Sequence, residues 1–185
     1  MSTDFPPVGS ATTSPVDRHA VINAAFTSHH SELYNFLRRS TRDEAAAEDL
    51  LQEVYLRLTR EVEAGRIPDH VRGWLYRVAA NLATSRARRR TTASEWMSRY
   101  GRLTASATAA SPEADVMARE RSSSLEQAMA ALPADARMAL LMSAEGFSGQ
   151  EIADAIGKTN MATRTLLSRA RVRVRLMLEQ EVADR

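Results

Sequence analysis

Apolar residues recur at steps of three and four along almost the whole chain, which is the period of an amphipathic helix and not of a strand. A first helix is expected from about Val16 to Arg39, with a stripe of Ile22, Phe26, His29 or His30, Leu33, Phe36 and Leu37. Thr41 to Glu44 reads as a capping box opening a second helix, whose inner face is Ala47, Leu50, Leu51, Val54, Leu58 and Val62. Gly65 and Pro68 place a short loop at Ala64–His70. A third helix carries Val71, Trp74, Leu75, Val78 and Leu82 and then runs into Arg86, Arg88, Arg89 and Arg90. Only 7 Gly and 6 Pro interrupt the 185 residues, so the expected class is all-α.

The pattern breaks once. Leu103–Ser111 is almost entirely Ala, Ser and Thr, too poor in large apolar groups to build a core. Two small helical domains joined by a flexible linker follow: a tail at 1–15, a three-helix bundle at 16–95, a linker at 96–111 and a second domain at 112–182. In the second domain Ser111 and Pro112 start a helix continued by Val116, Leu125, Met129 and Leu132. Pro133 opens the next, through Leu140, Leu141 and Ala144, and Gly146 with Phe147 ends it. Ser148 to Glu151 is a further capping box, leading into Ile152, Ala153 and Ile156, and Gly157 stops that helix. The last helix runs from Thr159 or Asn160 to about Glu181 on a stripe of Thr163, Leu167, Ala170, Val174 and Leu178.

The formal charge of +2 conceals a segregation. Thr41–Gly65 holds three basic and seven acidic residues, and Arg66–Arg102 nine basic and two acidic. Glu113–Asp154 holds three basic and eight acidic, and Lys158–Arg175 six basic and none acidic. Lys158 is the one lysine, so the basic blocks are otherwise arginine, whose planar fork suits phosphates and base edges. Two basic blocks fit two contacts with a polyanion, although solvated helix faces carry the same charges.

Several chemistries are excluded or unsupported. Without cysteine there is no disulfide, thiolate metal site, thiol nucleophile or thiol sensing within the chain. The four histidines and the absence of a phosphate-cradling glycine loop or nucleophile elbow give no metal, no cofactor and no enzymatic site to expect. No run approaches the length of a membrane span and the start lacks a secretory signal, so a cytoplasmic protein without membrane contact of its own is expected.

The strongest local constellation is 147–175. A short capped helix, a glycine turn and a longer basic helix form a helix-turn-helix pattern. Arg164, Ser168, Arg171 and Arg175 share one face, Arg169 and Arg173 flank the stripe behind it, and Lys158–Asn160 would hold a phosphate at the helix start. On the third helix, Arg77 and Arg86 with Arg88–Arg90 would follow a phosphate backbone, with Trp74 in the core and Tyr76 as the exposed ring for stacking. On the second, Glu48, Asp49, Gln52 and Glu53 make a polar patch suited to a basic protein partner.

These residues also resemble a family. The run Ala47-Glu48-Asp49-Leu50-Leu51-Gln52-Glu53-Val54-Tyr55-Leu56-Arg57-Leu58 resembles region 2.2 of bacterial extracytoplasmic-function (ECF) sigma factors. Residues Gly73 to Ala83 and the arginines after them resemble regions 2.3 and 2.4. Ala131-Leu132-Pro133, Glu145 to Ala153 and Ser168-Arg169-Ala170-Arg171 resemble region 4. The resemblance implies a dissociable initiation subunit of RNA polymerase, with a region 2 bundle and a region 4 helix-turn-helix. It implies that Asp49, Gln52 and Glu53 touch core polymerase. The Ala64–His70 loop, Arg77, Asn81, Arg86, Arg88, Arg89 and Arg90 would meet the −10 element. Lys158, Asn160, Arg164, Thr165, Ser168, Arg169 and Arg171 would meet the −35 element. Core RNA polymerase, promoter DNA and an anti-sigma factor are the implied partners. The recognition helix departs from the family pattern in opening on Met161-Ala162-Thr163-Arg164-Thr165-Leu166, and Ser85 stands where the family often has Asp. A sigma-like decoy that sequesters an anti-sigma factor without reading DNA, and an ordinary dimeric helix-turn-helix regulator, are the alternatives.

Overall fold

The computed structural model describes residues 18–100 and 124–183. Every element among them is a helix: α1 (Arg18–Thr41), α2 (Glu44–Glu63), α3 (Val71–Tyr100), a helical segment α4 at 124–130, α5 (Ala134–Ala144), α6 (Gly149–Ile156) and α7 (Asn160–Ala183). The all-α expectation holds. The expected tail, the helix start at Ser111–Pro112, Val116 and the linker from 101 to 111 lie outside the described residues. Residues 96–100 continue α3, in keeping with a sequence that has no Gly or Pro between Gly73 and Gly101.

The expected inner face of α2 is buried in full, from Ala47 to Val62. It packs against Leu33, Phe36 and Leu37 of α1 and Leu75, Ala79 and Ala80 of α3. These two alanines of α3, with Ala83, let its backbone approach closely. Two expectations in this bundle are corrected. The cap of α2 is Asp43, whose carboxylate accepts from the Ala46 N–H at 3.1 Å. Thr41 instead closes α1, its hydroxyl donating to the Leu37 carbonyl at 2.9 Å. The Thr41 oxygen accepts only from the Asp43 N–H, at 3.4 Å, one residue short of the helix that Asp43 caps. Phe26, expected in the buried stripe, is 48% exposed and lies against His30 and Tyr55, with ring centroids 4.3 and 5.2 Å away.

The second half is built by its turns. Gly146 takes φ +87, its N–H reaches the Ser143 carbonyl, and the Phe147 N–H reaches that of Met142. This closing motif needs a residue without Cβ at the left-handed position and turns the next side chain back onto the helix. Ser148 and Glu151 make the expected capping box on α6. Gly157, at φ +66, ends α6 and leads directly into Lys158 and α7. Thr163, Leu167 and Ala170 are buried as expected, while Val174 and Leu178 are half-buried. Leu125, expected on the inner stripe of α4, is 47% exposed.

The two halves also meet. The main core is continuous from Leu33 of α1 through α3 to Met138, Met142, Ile152 and Ile156. Helix α3 is therefore walled on both sides, by α1 and α2 and by α5 and α6. Tyr76, expected to be the exposed ring, is fully buried on the second of these walls. Its ring lies 4.9 Å from Phe36 and 5.3 Å from Phe147. Trp74 is half-buried against the core.

Candidate nucleic-acid interface

The acidic patch lies on the outer face of α2. Asp49 and Gln52 are exposed, and Glu53 bonds Arg57 one turn on, at 2.7 Å. That hydrogen bond holds the Glu53 carboxyl below the usual carboxylate range. Leu56 follows on the same stripe of the helix, half-exposed among polar neighbours.

The first basic block divides between two faces of α3. Asn81, Leu82, Ser85, Arg88 and Arg89 line an open groove of about 500 Å³ together with Arg57 of α2. Arg77 is exposed one turn before Asn81. Arg86 and Arg90, four residues apart, face the start of α2 instead, where they pair with Asp49 at 3.6 Å and Asp43 at 4.0 Å. The loop at 64–70 sits at the other end of α3, its Arg66 in a two-point pair with Glu61 at 2.7 and 3.0 Å. The sequence thus placed six residues on one −10 set, and the fold brings Asn81, Arg88 and Arg89 together while turning Arg86 and Arg90 away.

The second block is the outer face of α7. Arg164, Ser168, Arg171 and Arg175 line one shallow groove with Leu167 and Val172. Arg171 also donates to the Ser143 hydroxyl of α5 at 2.9 Å. The Thr165 hydroxyl is turned back onto the Met161 carbonyl at 3.1 Å, and Arg169 is exposed. Asn160 at the helix start donates to Gln150 of α6 at 3.0 Å, which fixes the two arms of the turn against each other. Lys158 lies apart from this groove, bonded to Asp135 at 2.9 Å.

The model of sigma-70 region 2 matches residues 25–92, and that of sigma-70 region 4 matches residues 122–174. The ECF RNA polymerase sigma factor SigM of Mycobacterium tuberculosis is 31% identical over 162 residues, which is 86% of this chain and 76% of that one. The chain belongs to the ECF sigma factors of the sigma-70 family. A probable RNA polymerase sigma factor, RfaY of Xanthomonas campestris, is 34% identical over 143 residues, 76% of this sigma factor but 36% of that longer relative. The fold is also that of the sigma factor RpoE of Bartonella quintana, solved in complex with the anti-sigma factor NepR. That structure has a TM-score of 0.57 and 22% identity, with 87% of this chain and 93% of that chain covered. No helix among the described residues is long and apolar enough to cross a membrane.

In this sigma factor several side chains beside the basic surfaces escaped the sequence reading. Arg72 bonds the Glu145 carboxylate at 3.0 Å and lies over the rings of Tyr76 and Phe147, at 4.8 and 5.4 Å. Tyr76 donates to the same carboxylate at 3.4 Å. Burial first, and the Glu145 charge next, push the Tyr76 phenol up to about 12. Arg137 donates to the carbonyl of Ser40 at 3.0 Å, across the two halves. Asp135 receives Arg88 and Lys158 together. The pairs of Arg72, Tyr76 and Arg137 join residues 69 to 97 positions apart and that of Arg88 with Asp135 47, and no local spacing announces them. Arg57 was within reach, since it stands four residues after Glu53.

Proposed function

We propose that this chain binds core RNA polymerase in the cytoplasm and directs promoter-specific initiation by contacting the −10 and −35 elements. The observation that carries this reading is the placement of two arginine surfaces on two different helices, α3 and α7, with an acidic stripe on the outer face of α2. In this reading Asp49, Gln52 and Glu53 touch the polymerase. Arg77, Asn81, Arg86, Arg88, Arg89 and Arg90, with the 64–70 loop, meet melted −10 DNA. Lys158, Asn160, Arg164, Thr165, Ser168, Arg169 and Arg171 meet the −35 duplex. Residues 16–95 and 112–182 act as separate domains on the polymerase, with 96–111 between them. A protein inhibitor of the anti-sigma kind, covering both domains, is the regulator that fits.

Run-off transcription with purified core enzyme and a bubble template tests the reading. A specific transcript is expected, and Gln52→Ala with Glu53→Ala should abolish competition for core enzyme while leaving the helical content unchanged. A chain that binds an anti-sigma protein yet gives no transcript is a decoy. A chain that binds duplex DNA and ignores core enzyme is an ordinary regulator.

A further inference from the structure

Helix α7 has a divided cross-section. With a turn of about 100° per residue, the buried Thr163, Leu167 and Ala170 share one side. Met161, Thr165, Ser168 and Val172 form the line directly opposite them, and all four are exposed. Met161 is 80% exposed, more than any other exposed large apolar side chain among the described residues. Val172, three turns on, is 53% exposed. Arg164, Arg171 and Arg175 run along one flank of this line and Arg169 along the other. No acidic residue stands between Lys158 and Arg175. Among the described residues none of these four arginines makes an ion pair.

The start of the outward line has little polar chemistry left to present. The Thr159 hydroxyl accepts from the Ala162 N–H at 3.2 Å, and Asn160 donates to Gln150 at 3.0 Å. The Thr165 hydroxyl donates to the Met161 carbonyl at 3.1 Å, so the group it has left to offer is its γ-methyl. A thioether and a methyl therefore head a line flanked by arginines without carboxylates. Those flanks have phosphate as their complement. A helix lying in the major groove turns its outward line, and its first residues above all, to the base edges. The apolar group on those edges is the C5-methyl of thymine. Against other bases Met161 would cover donors and acceptors without pairing them, which costs their hydration.

We propose that Met161, with the Thr165 methyl beside it, reads thymine: the upstream duplex element of this chain's promoters carries one or two thymines that are chosen through their C5-methyl groups. The proposal rests on the reading of α7 as the −35 helix and adds to it a base and the atoms that select it. Met161 and Thr165 lie about 6 Å apart along the helix axis, less than two base-pair steps, so the thymines fall within that span. The departure from the family pattern at Met161 is then a change in the base that is read.

The test uses the full chain with core RNA polymerase. A library of bubble templates, randomised over about ten base pairs of upstream duplex, one helical turn, is selected for binding. The enriched sequence should hold thymine at one or two neighbouring positions. Each thymine is then replaced by deoxyuridine, which removes the methyl and keeps every hydrogen-bonding group. At the position read, binding should weaken about three- to five-fold, the effect of one methyl leaving an apolar contact. Met161→Ala should bind the thymine duplex more weakly and no longer distinguish it from the deoxyuridine duplex. Thr165→Ser, which keeps the hydroxyl and loses the methyl, should weaken binding by a smaller factor. An enriched sequence without thymine, equal binding of the two duplexes by the parent, or a Met161→Ala chain that still distinguishes them overturns the proposal and leaves the −35 reading standing. A Met161→Ala chain that binds both duplexes like its parent but loses core enzyme makes the line a protein contact, which also overturns it. No enriched sequence and no run-off transcript would remove the −35 reading itself, and thymine reading with it.

Discussion

Helices α3 and α7 carry similar charge on different supports. Helix α3 is packed on both sides, and four of its arginines, Arg72, Arg86, Arg88 and Arg90, already have carboxylate partners. Helix α7 is packed along one stripe, and among the described residues none of Arg164, Arg169, Arg171, Arg173 and Arg175 makes an ion pair. An arginine without a carboxylate meets a phosphate at the cost of its water alone. An arginine with one must exchange it, and the exchange is nearly neutral in free energy when the pair is exposed. The same residue type thus gives an unpaired cationic face on α7 and a largely paired one on α3.

The comparison is most sharply tested by removing the inner support of α3. Tyr76→Ala takes a fully buried ring from between Phe36 and Phe147. It should cost about 3–5 kcal/mol of stability, read as a fall in the denaturant midpoint. The half-buried Val174 of α7 should cost far less when shortened to Ala. Equal costs would mean that the second wall of α3 contributes nothing. A smaller effect is expected at the open surface. Arg171→Ala should weaken duplex binding by about 1–3 kcal/mol, at one base position if the side chain reads a base edge. A loss spread evenly over all sequences, measured by anisotropy titration, would make Arg171 a backbone contact placed by Ser143. The smallest effect belongs to the answered arginines. Asp49→Asn loosens Arg86 across 3.6 Å of largely exposed surface, and thermal unfolding should move by less than about 1 kcal/mol. A larger shift would show the α2–α3 pairs to be structural and not reserves for DNA.

The local grammar of this fold was legible in the sequence. The inner face of α2, the Ser148–Glu151 box, the Gly157 stop and the shared face of Arg164, Ser168 and Arg171 all follow from period and capping alone. What lay on the far side of a helix was not. Tyr76 read as exposed because periodicity gives one buried stripe, and α3 has two. The cap of α2 shifted from Thr41 to Asp43 because two candidate oxygens stood two residues apart, and the end of α1 claimed the first. The arginine run looked like one cationic edge, yet a turn of 100° per residue sends Arg86 and Arg88 to different neighbours. Nothing near Asp135 in the chain marks it as the partner of Arg88.

Lys158 is the single lysine of the chain and lies in the seam between the halves. Apart from the terminal amine it offers acylating reagents one target, an amine held by Asp135 of α5 at 2.9 Å. A mild succinimidyl ester therefore turns the molecule into its own clock, with modification speed at one atom counting how often Lys158 leaves Asp135.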